Sequence, residues 1–277
     1  MAVFEINNAK LHYVFNDNGK ANTVLLGHSY LFDGAMWDPQ IVELSKHWNL
    51  VIPDLWGHGN SDSIDLSSYS LKQLADDYAD LMHHLNIENY HVVGLSVGGM
   101  WGAHMALNYP DRVKALVLMD TDLHEESMET RAKYFALLDH VKKDGEITEK
   151  MAENLTRYFH SHNPDTFLVS AIKAKILELQ PHNIKCIYEL GKFIFARTSI
   201  LDQLPDLKMP VMVAVGSQDA PRPPFESKRI QENIGDNAQY YEIPDAGHLS
   251  NMENPNDANT MLVGFLQTAE VSEHEHC

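Results

Sequence analysis

Val92-Val93-Gly94-Leu95-Ser96-Val97-Gly98-Gly99-Met100 is the stretch on which the reading of this 277-residue chain turns. The apolar run from His91 to Gly94 has the composition of a buried strand, and a helical pattern starts at Val97, so Ser96 falls on the turn between them. A serine so placed is a nucleophile elbow, its hydroxyl standing free at the carboxyl edge of a sheet. Gly94 and Gly98 lie two residues to either side, where a Cβ would collide with the tight turn, and Gly99 lets the helix lie close on the strand.

Working outward, Thr23-Val24-Leu25-Leu26-Gly27 is a short continuous apolar run, as in a strand covered on both faces, and it belongs beside the elbow strand. It leads into the loop His28-Ser29-Tyr30-Leu31-Phe32-Asp33. Val3 to Ile6 and Leu11 to Phe15 predict an edge hairpin turned at Asn7-Asn8-Ala9. Asp38-Pro39 predicts a helix with Asp38 as its N-cap, Ile41, Val42 and Leu44 on its buried face, and an end near Lys46. Trp48 to Ile52 reads as another buried strand, and the chain from Pro53 to Asp62 as loop. Ser70 and Gln73 have capping-box spacing, Tyr69 and Leu74 staple spacing, and Leu71, Leu74, Tyr78, Leu81, Met82 and Leu85 recur at helical intervals up to Asn86. Behind the elbow, Val97 to Asn108 is a helix apolar nearly all round, stopped by Pro110, and Lys114 to Met119 is the next strand.

From Leu123 to Leu204 the strand signal vanishes and helical patterns replace it, interrupted at Lys143-Asp144-Gly145, Pro164 and Pro181. Alternation then resumes with a strand from Val211 to Val215, a helix from Pro224 to Ile234 ended by Gly235, a strand from Gln239 to Ile243, and a last helix from Asn254-Pro255. The pattern predicts an α/β fold, a mostly parallel eight-stranded sheet with helices on both faces. The expected organisation is a core of residues 1–121 and 205–270, an inserted helical cap over 122–204, and a disordered tail over 271–277.

A formal charge of −18 argues against nucleic acid, whose phosphates want a basic face, and against anionic membrane surfaces. The two cysteines, Cys186 and Cys277, make no disulfide framework, and the start carries no charged segment followed by an apolar one, so a cytoplasmic, reducing location is expected. No apolar run reaches membrane-spanning length. The expected partner is a small molecule, with no metal or other cofactor. Oligomeric state has no signature in the sequence.

A serine hydroxyl needs a base within hydrogen-bond reach, and the base an orienting carboxylate. His248, in Asp245-Ala246-Gly247-His248, and Asp219, in Gly216-Ser217-Gln218-Asp219, follow the last two strands and so fall at the same sheet edge as Ser96. Most of the sixteen histidines have no such context. Asp245 and Asp122 compete with Asp219 for the acid's role. The backbone N–H groups of Tyr30 and Val97 are the expected oxyanion-hole donors. Ser29, Phe32 and Trp101 are expected in the substrate pocket, Trp101 being equally suited to the helix core.

From Val24 to Phe265 these features resemble the α/β-hydrolase family. Within it the chain is most similar to the 3-oxoadipate enol-lactonase type and related carboxylesterases, through Met36-Trp37-Asp38-Pro39-Gln40, Gly94-Leu95-Ser96-Val97-Gly98-Gly99-Met100 and Gly247-His248-Leu249-Ser250-Asn251-Met252-Glu253. His28-Ser29 stands where the family usually has His-Gly. Those lactonases tend to carry an arginine shortly before their Gly-His-Gly loop, whereas here the chain runs Pro53-Asp54-Leu55-Trp56-Gly57-His58-Gly59. The resemblance implies a serine hydrolase acting on a small or medium carboxylic ester or lactone through an acyl-enzyme. The alternatives are an enol-lactonase, a cofactor-free perhydrolase, or a hydrolase-fold binding protein with little turnover. A carboxylated enol-lactone implies a cationic residue in the cap, for which Arg131, Arg157 and Arg197 are the candidates.

Overall fold

The computed structural model describes residues 2–6, 8–179 and 183–274. Within these residues eight strands form one sheet: β1 (Ala2–Ile6), β2 (Ala9–Asn16), β3 (Thr23–Gly27), β4 (Asn49–Pro53), β5 (Tyr90–Leu95), β6 (Val113–Met119), β7 (Val211–Gly216) and β8 (Ala238–Ile243). Their order is β1-β2-β4-β3-β5-β6-β7-β8. The β1–β2 and β2–β4 pairs are antiparallel and the others parallel. Every residue of β3, β4 and β5 is buried, as expected of central strands covered on both faces, while the edge strand β8 buries only its ends.

Helices α2 (Leu71–His84), α3 (Val97–Asn108) and α8 (Pro224–Ile234) pack on one face, and α1 (Asp38–Leu44) and α10 (Pro255–His274) on the other. The short α9 (Ser250–Glu253) precedes α10. The Ser70 hydroxyl accepts the Gln73 N–H at 3.3 Å, so the capping-box spacing marks the start of α2. Gly27 pairs with Gly94 across β3 and β5, which sets the loop after β3 beside the elbow. A Cβ on Gly94 would come within 2.2 Å of the Gly98 carbonyl, and one on Gly98 within 2.2 Å of the Gly27 carbonyl oxygen. These two positions let α3 sit down on the sheet.

Among the described residues four α-helices stand between β6 and β7: α4 (Met128–Asp144), α5 (Glu149–Phe159), α6 (Thr166–Leu177) and α7 (Ile184–Phe195). Ser127, Thr148 and Asp165 cap the first three through their side chains, a signal the sequence reading passed over. α4 packs on α7 and α5 on α6, and buried Val141, Met151, Ile176 and Ile187 continue one of the two cores of the sheet. The Ile200 N–H donates to the Leu123 carbonyl at 3.0 Å, so the two ends of this insertion meet.

Three expectations are corrected. Asp38 is not the N-cap, because the chain already turns through a short 3-10 segment from Gly34 to Trp37, whose cap is the Asp33 carboxylate accepting the Ala35 N–H at 3.1 Å. Val42 is 73% exposed. Gln40 takes the buried place, exchanging hydrogen bonds with Asn251. The stretch 271–274 is helical rather than disordered, because α10, anchored by Phe265, Leu266 and Ala269, extends to His274 without a new nucleation cost. Asn7, Pro181 and residues 275–277, which the sequence reading placed in turns and tail, lie outside the described residues.

Candidate active site

Ser96 follows β5 with φ 57° and ψ −116°, a conformation strained for any residue with a Cβ. Neighbours hold it there: its N–H donates to the Met119 carbonyl at 2.8 Å, and its own carbonyl accepts the Thr121 hydroxyl at 2.7 Å. The side chain is turned toward His248, whose Nε2 lies 3.1 Å from Ser96 Oγ. On the far side of the ring, Nδ1 lies 2.9 Å from Asp219 Oδ2. A carboxylate at Nδ1 keeps the proton on that nitrogen and leaves Nε2 free to accept from the hydroxyl. All three side chains are buried.

The competing acids are engaged elsewhere. Asp122 is bound by Arg197 at 3.2 Å and Arg229 at 2.9 Å, and the Asp245 N–H donates to Ser217 Oγ on an exposed turn. Asp219 Oδ1 accepts the Arg222 N–H at 2.9 Å.

Several residues around this array have no local sequence signal. Asp120, fully buried at the end of β6, accepts the Gly216 N–H at 2.8 Å and the Ser250 hydroxyl. Burial first, and then the charge of Asp219, push its carboxyl well above the ordinary carboxylate range, because two carboxylates in contact in a dry site do not both ionise. Phe159, the last residue of α5, stacks on the His248 ring at 5.6 Å and takes the His248 N–H on its carbonyl at 2.7 Å. Glu253 holds the preceding turn by accepting the Gly247 and Ser161 N–H groups at 2.9 Å each.

Tyr30 and Val97 both line the cavity over Ser96, and among the described residues no hydrogen bond is found from the backbone N–H of either. The loop bearing Tyr30 is set from below by His28, which receives the Leu55 N–H on Nε2 and faces the Ser29 carbonyl with Nδ1, both at 2.8 Å. Burial lowers the His28 pKa and pushes that of neighbouring His58 down to about 4, which favours the neutral form of both rings. The Tyr30 hydroxyl donates to the Ile187 carbonyl at 2.7 Å, tying the loop to α7.

The cavity over Ser96 has a volume of about 90 Å³. Ser29, Tyr30, Met100 and His248 form its floor, and Val141, Met151 and Ile194 of the insertion its roof. Arg222 is the sole Arg, Lys, Asp or Glu among the described residues that line it, and its guanidinium is occupied by Glu126. Two expected pocket residues are not in the lining. Trp101 projects from α3 into the core, its ring 4.6 Å from that of Tyr78, because its position on the helix faces α2. Phe32 lies behind Phe159 at 6.0 Å, displaced from the cavity because Leu31, at φ 71°, swings the chain away.

A sequence profile of the alpha/beta hydrolase fold matches residues 22–255. The chain is 24% identical over 253 residues to 3-oxoadipate enol-lactonase 1 of Acinetobacter baylyi, covering 91% of each. It is 25% identical over 257 residues to a putative carbamate hydrolase of Pantoea ananatis, covering 90% of each. Among solved structures, a thermophilic esterase from Thermogutta terrifontis superposes with a TM-score of 0.87 at 28% identity, over 97% of this chain and 98% of that one. The enol-lactonase from Burkholderia xenovorans gives 0.86 at 25%, over 96% and 100%. With the elbow, the sheet order and this match over most of its length, the chain belongs to the α/β-hydrolase fold family.

Proposed function

We propose that this chain is a serine hydrolase cleaving a small or medium carboxylic ester or lactone through an acyl-enzyme. Ser96 Oγ attacks the carbonyl carbon while His248 Nε2 takes its proton, and Asp219 holds the imidazolium that forms. The Tyr30 and Val97 N–H groups receive the oxyanion. Collapse of the tetrahedral intermediate breaks the C–O bond, His248 returns the proton to the departing alcohol, and a water repeats the cycle to free the acid and Ser96. No step calls on a cofactor. Residues 122–204 act as a cap that excludes water from the reacting atoms. The observation that carries this reading is the continuous contact from Ser96 Oγ through the His248 ring to Asp219, at 3.1 and 2.9 Å.

A neutral acyl group suits the cavity better than a carboxylated lactone. Arg197 is buried against Asp122 and Glu126, Arg157 pairs with Glu153 on the surface, and Arg131 lines a different, outer cavity. The test is a panel of short aryl esters, lactones, an enol-lactone and a carbamate, run on wild type, Ser96→Ala and Asp219→Asn, with fluorophosphonate labelling alongside. The expected result is ester turnover lowered by about 10⁴-fold or more in Ser96→Ala and by about 10²- to 10⁴-fold in Asp219→Asn, with label on the wild type only. Near-normal hydrolysis by Ser96→Ala would remove the acyl-enzyme.

A further inference from the structure

Two cavities with part of their walls in common lie one beyond the other, and only the inner one reaches Ser96. The inner is the apolar cavity of about 90 Å³ that holds Ser96 and His248. The outer, of about 700 Å³, is walled by charged side chains, among them Glu125, Arg131, Glu226 and Arg229. The two share Tyr134, Tyr158, Pro221 and Arg222. Tyr134, on α4, is fixed by face-to-face stacking on Phe195 at 4.0 Å and 12°. Arg222 is buried and held by Glu126. Tyr158 is 42% exposed and directly precedes Phe159, the residue stacked on His248.

Resting on the serine-hydrolase reading above, we propose that Tyr134 and Tyr158 form a neck that sorts the two halves of an ester. The acyl group lodges in the inner chamber, and the alcohol group passes the neck into the outer one. The substrates are therefore esters of short apolar acids with polar alcohols too large for the inner chamber. Volume and polarity both assign the halves this way. An apolar cavity of about 150 Å³ holds a benzene ring, so about 90 Å³ takes an acyl chain of roughly two to four carbons. A hydroxyl-bearing group placed inside would give up its water among apolar walls, whereas in the outer chamber it meets charged side chains and solvent. Two tyrosines, each with one phenol hydroxyl, stand at the boundary. After acylation the alcohol leaves outward, away from the acyl-enzyme.

The test uses two substrate series on wild type, Tyr158→Phe and Tyr158→Ala: 4-nitrophenyl esters from acetate to octanoate, and acetates of ethanol, glycerol and a hexose. In the wild type, kcat/KM should fall by about tenfold or more from butanoate to octanoate and stay level or rise along the alcohol series. Tyr158→Ala should keep the order of acyl preference but lose about fivefold or more on the glycerol and hexose acetates, chiefly in KM, with Tyr158→Phe between the two. Octanoate turned over as well as acetate would overturn the proposal. So would a Tyr158→Ala enzyme in which both series drop by one common factor, the mark of a merely structural residue. A wild type that cleaves neither series and takes no fluorophosphonate label would bring down the serine-hydrolase reading and the neck with it. An active, labelled enzyme without sorting would bring down the neck alone.

Discussion

Ser96 holds a backbone conformation that costs a side-chain-bearing residue about 1–3 kcal/mol. The hydrogen bonds to Met119 and from Thr121 and the close approach of Gly98 to Gly27 leave the turn no alternative. Ser96→Gly should therefore gain stability, by about 1 kcal/mol once the extra freedom of glycine in the unfolded chain is subtracted, while turnover is lost. Urea titration checks this, and an unchanged or lower midpoint would show that the turn is not strained. At this scale the sequence was most legible where chemistry is local. Ser96, Asp219 and His248 each follow a strand on the same edge, and the structure brings them together. Phe32 lies off the cavity and Trp101 takes the helix-core place of its two candidate places, because a side chain's direction depends on the positive φ of Leu31 and on the rotation of α3, neither of which composition encodes. Asp120 and Phe159 carried no signal at all, since each matters only through a residue far away in the chain.

The elements that frame the site are joined by a buried ionic cluster. Glu126, just before α4, receives Arg197 Nη1 at 2.8 Å and Arg222 Nη2, and the Arg222 backbone N–H reaches Asp219. Burial opposes the charge on Glu126, but the two guanidinium groups hold its carboxyl below the usual range. Glu126→Gln leaves two buried arginines short of a carboxylate, at a cost of about 3–5 kcal/mol. Proteolysis within 122–204 should quicken and turnover should drop, because the loop of Asp219 loses its tie. Glu226, in the same cluster, behaves oppositely. Burial, partly offset by Arg222, pushes its carboxyl up from 4.5 to about 7. Between those values the folded chain keeps a proton that the unfolded chain has released, so this contribution is full below pH 4.5 and is lost as pH rises through 7. Measured by urea titration from pH 5 to 8, Glu226→Gln should gain on the wild type by roughly 1–3 kcal/mol as pH rises. A constant difference would show that Glu226 ionises normally. The helices here were legible as periodicity, but their anchors were not, because an ion pair between distant stretches has no period.

For the molecule as a whole, the alternation of strand and helix was enough to anticipate a mostly parallel sheet, since buried parallel strands read as continuous apolar runs. The formal charge of −18 is a second whole-chain property. Self-repulsion at that charge weakens the compact state and is screened by salt, so raising sodium chloride from about 20 mM to about 500 mM should raise the melting temperature by a few degrees. A fall would mean that exposed ion pairs outweigh the repulsion. The hydrogen bond from Ile200 to Leu123 has a different kind of consequence. To the sheet, everything between those two residues is a single excursion that leaves and returns at one point, and each doubling of such an excursion costs only about 0.6 kcal/mol in closure entropy. Lineages sharing this scaffold can lengthen, trim or exchange that block without renegotiating a single strand pairing, so new substrate ranges become accessible through replacement of one contiguous stretch of gene.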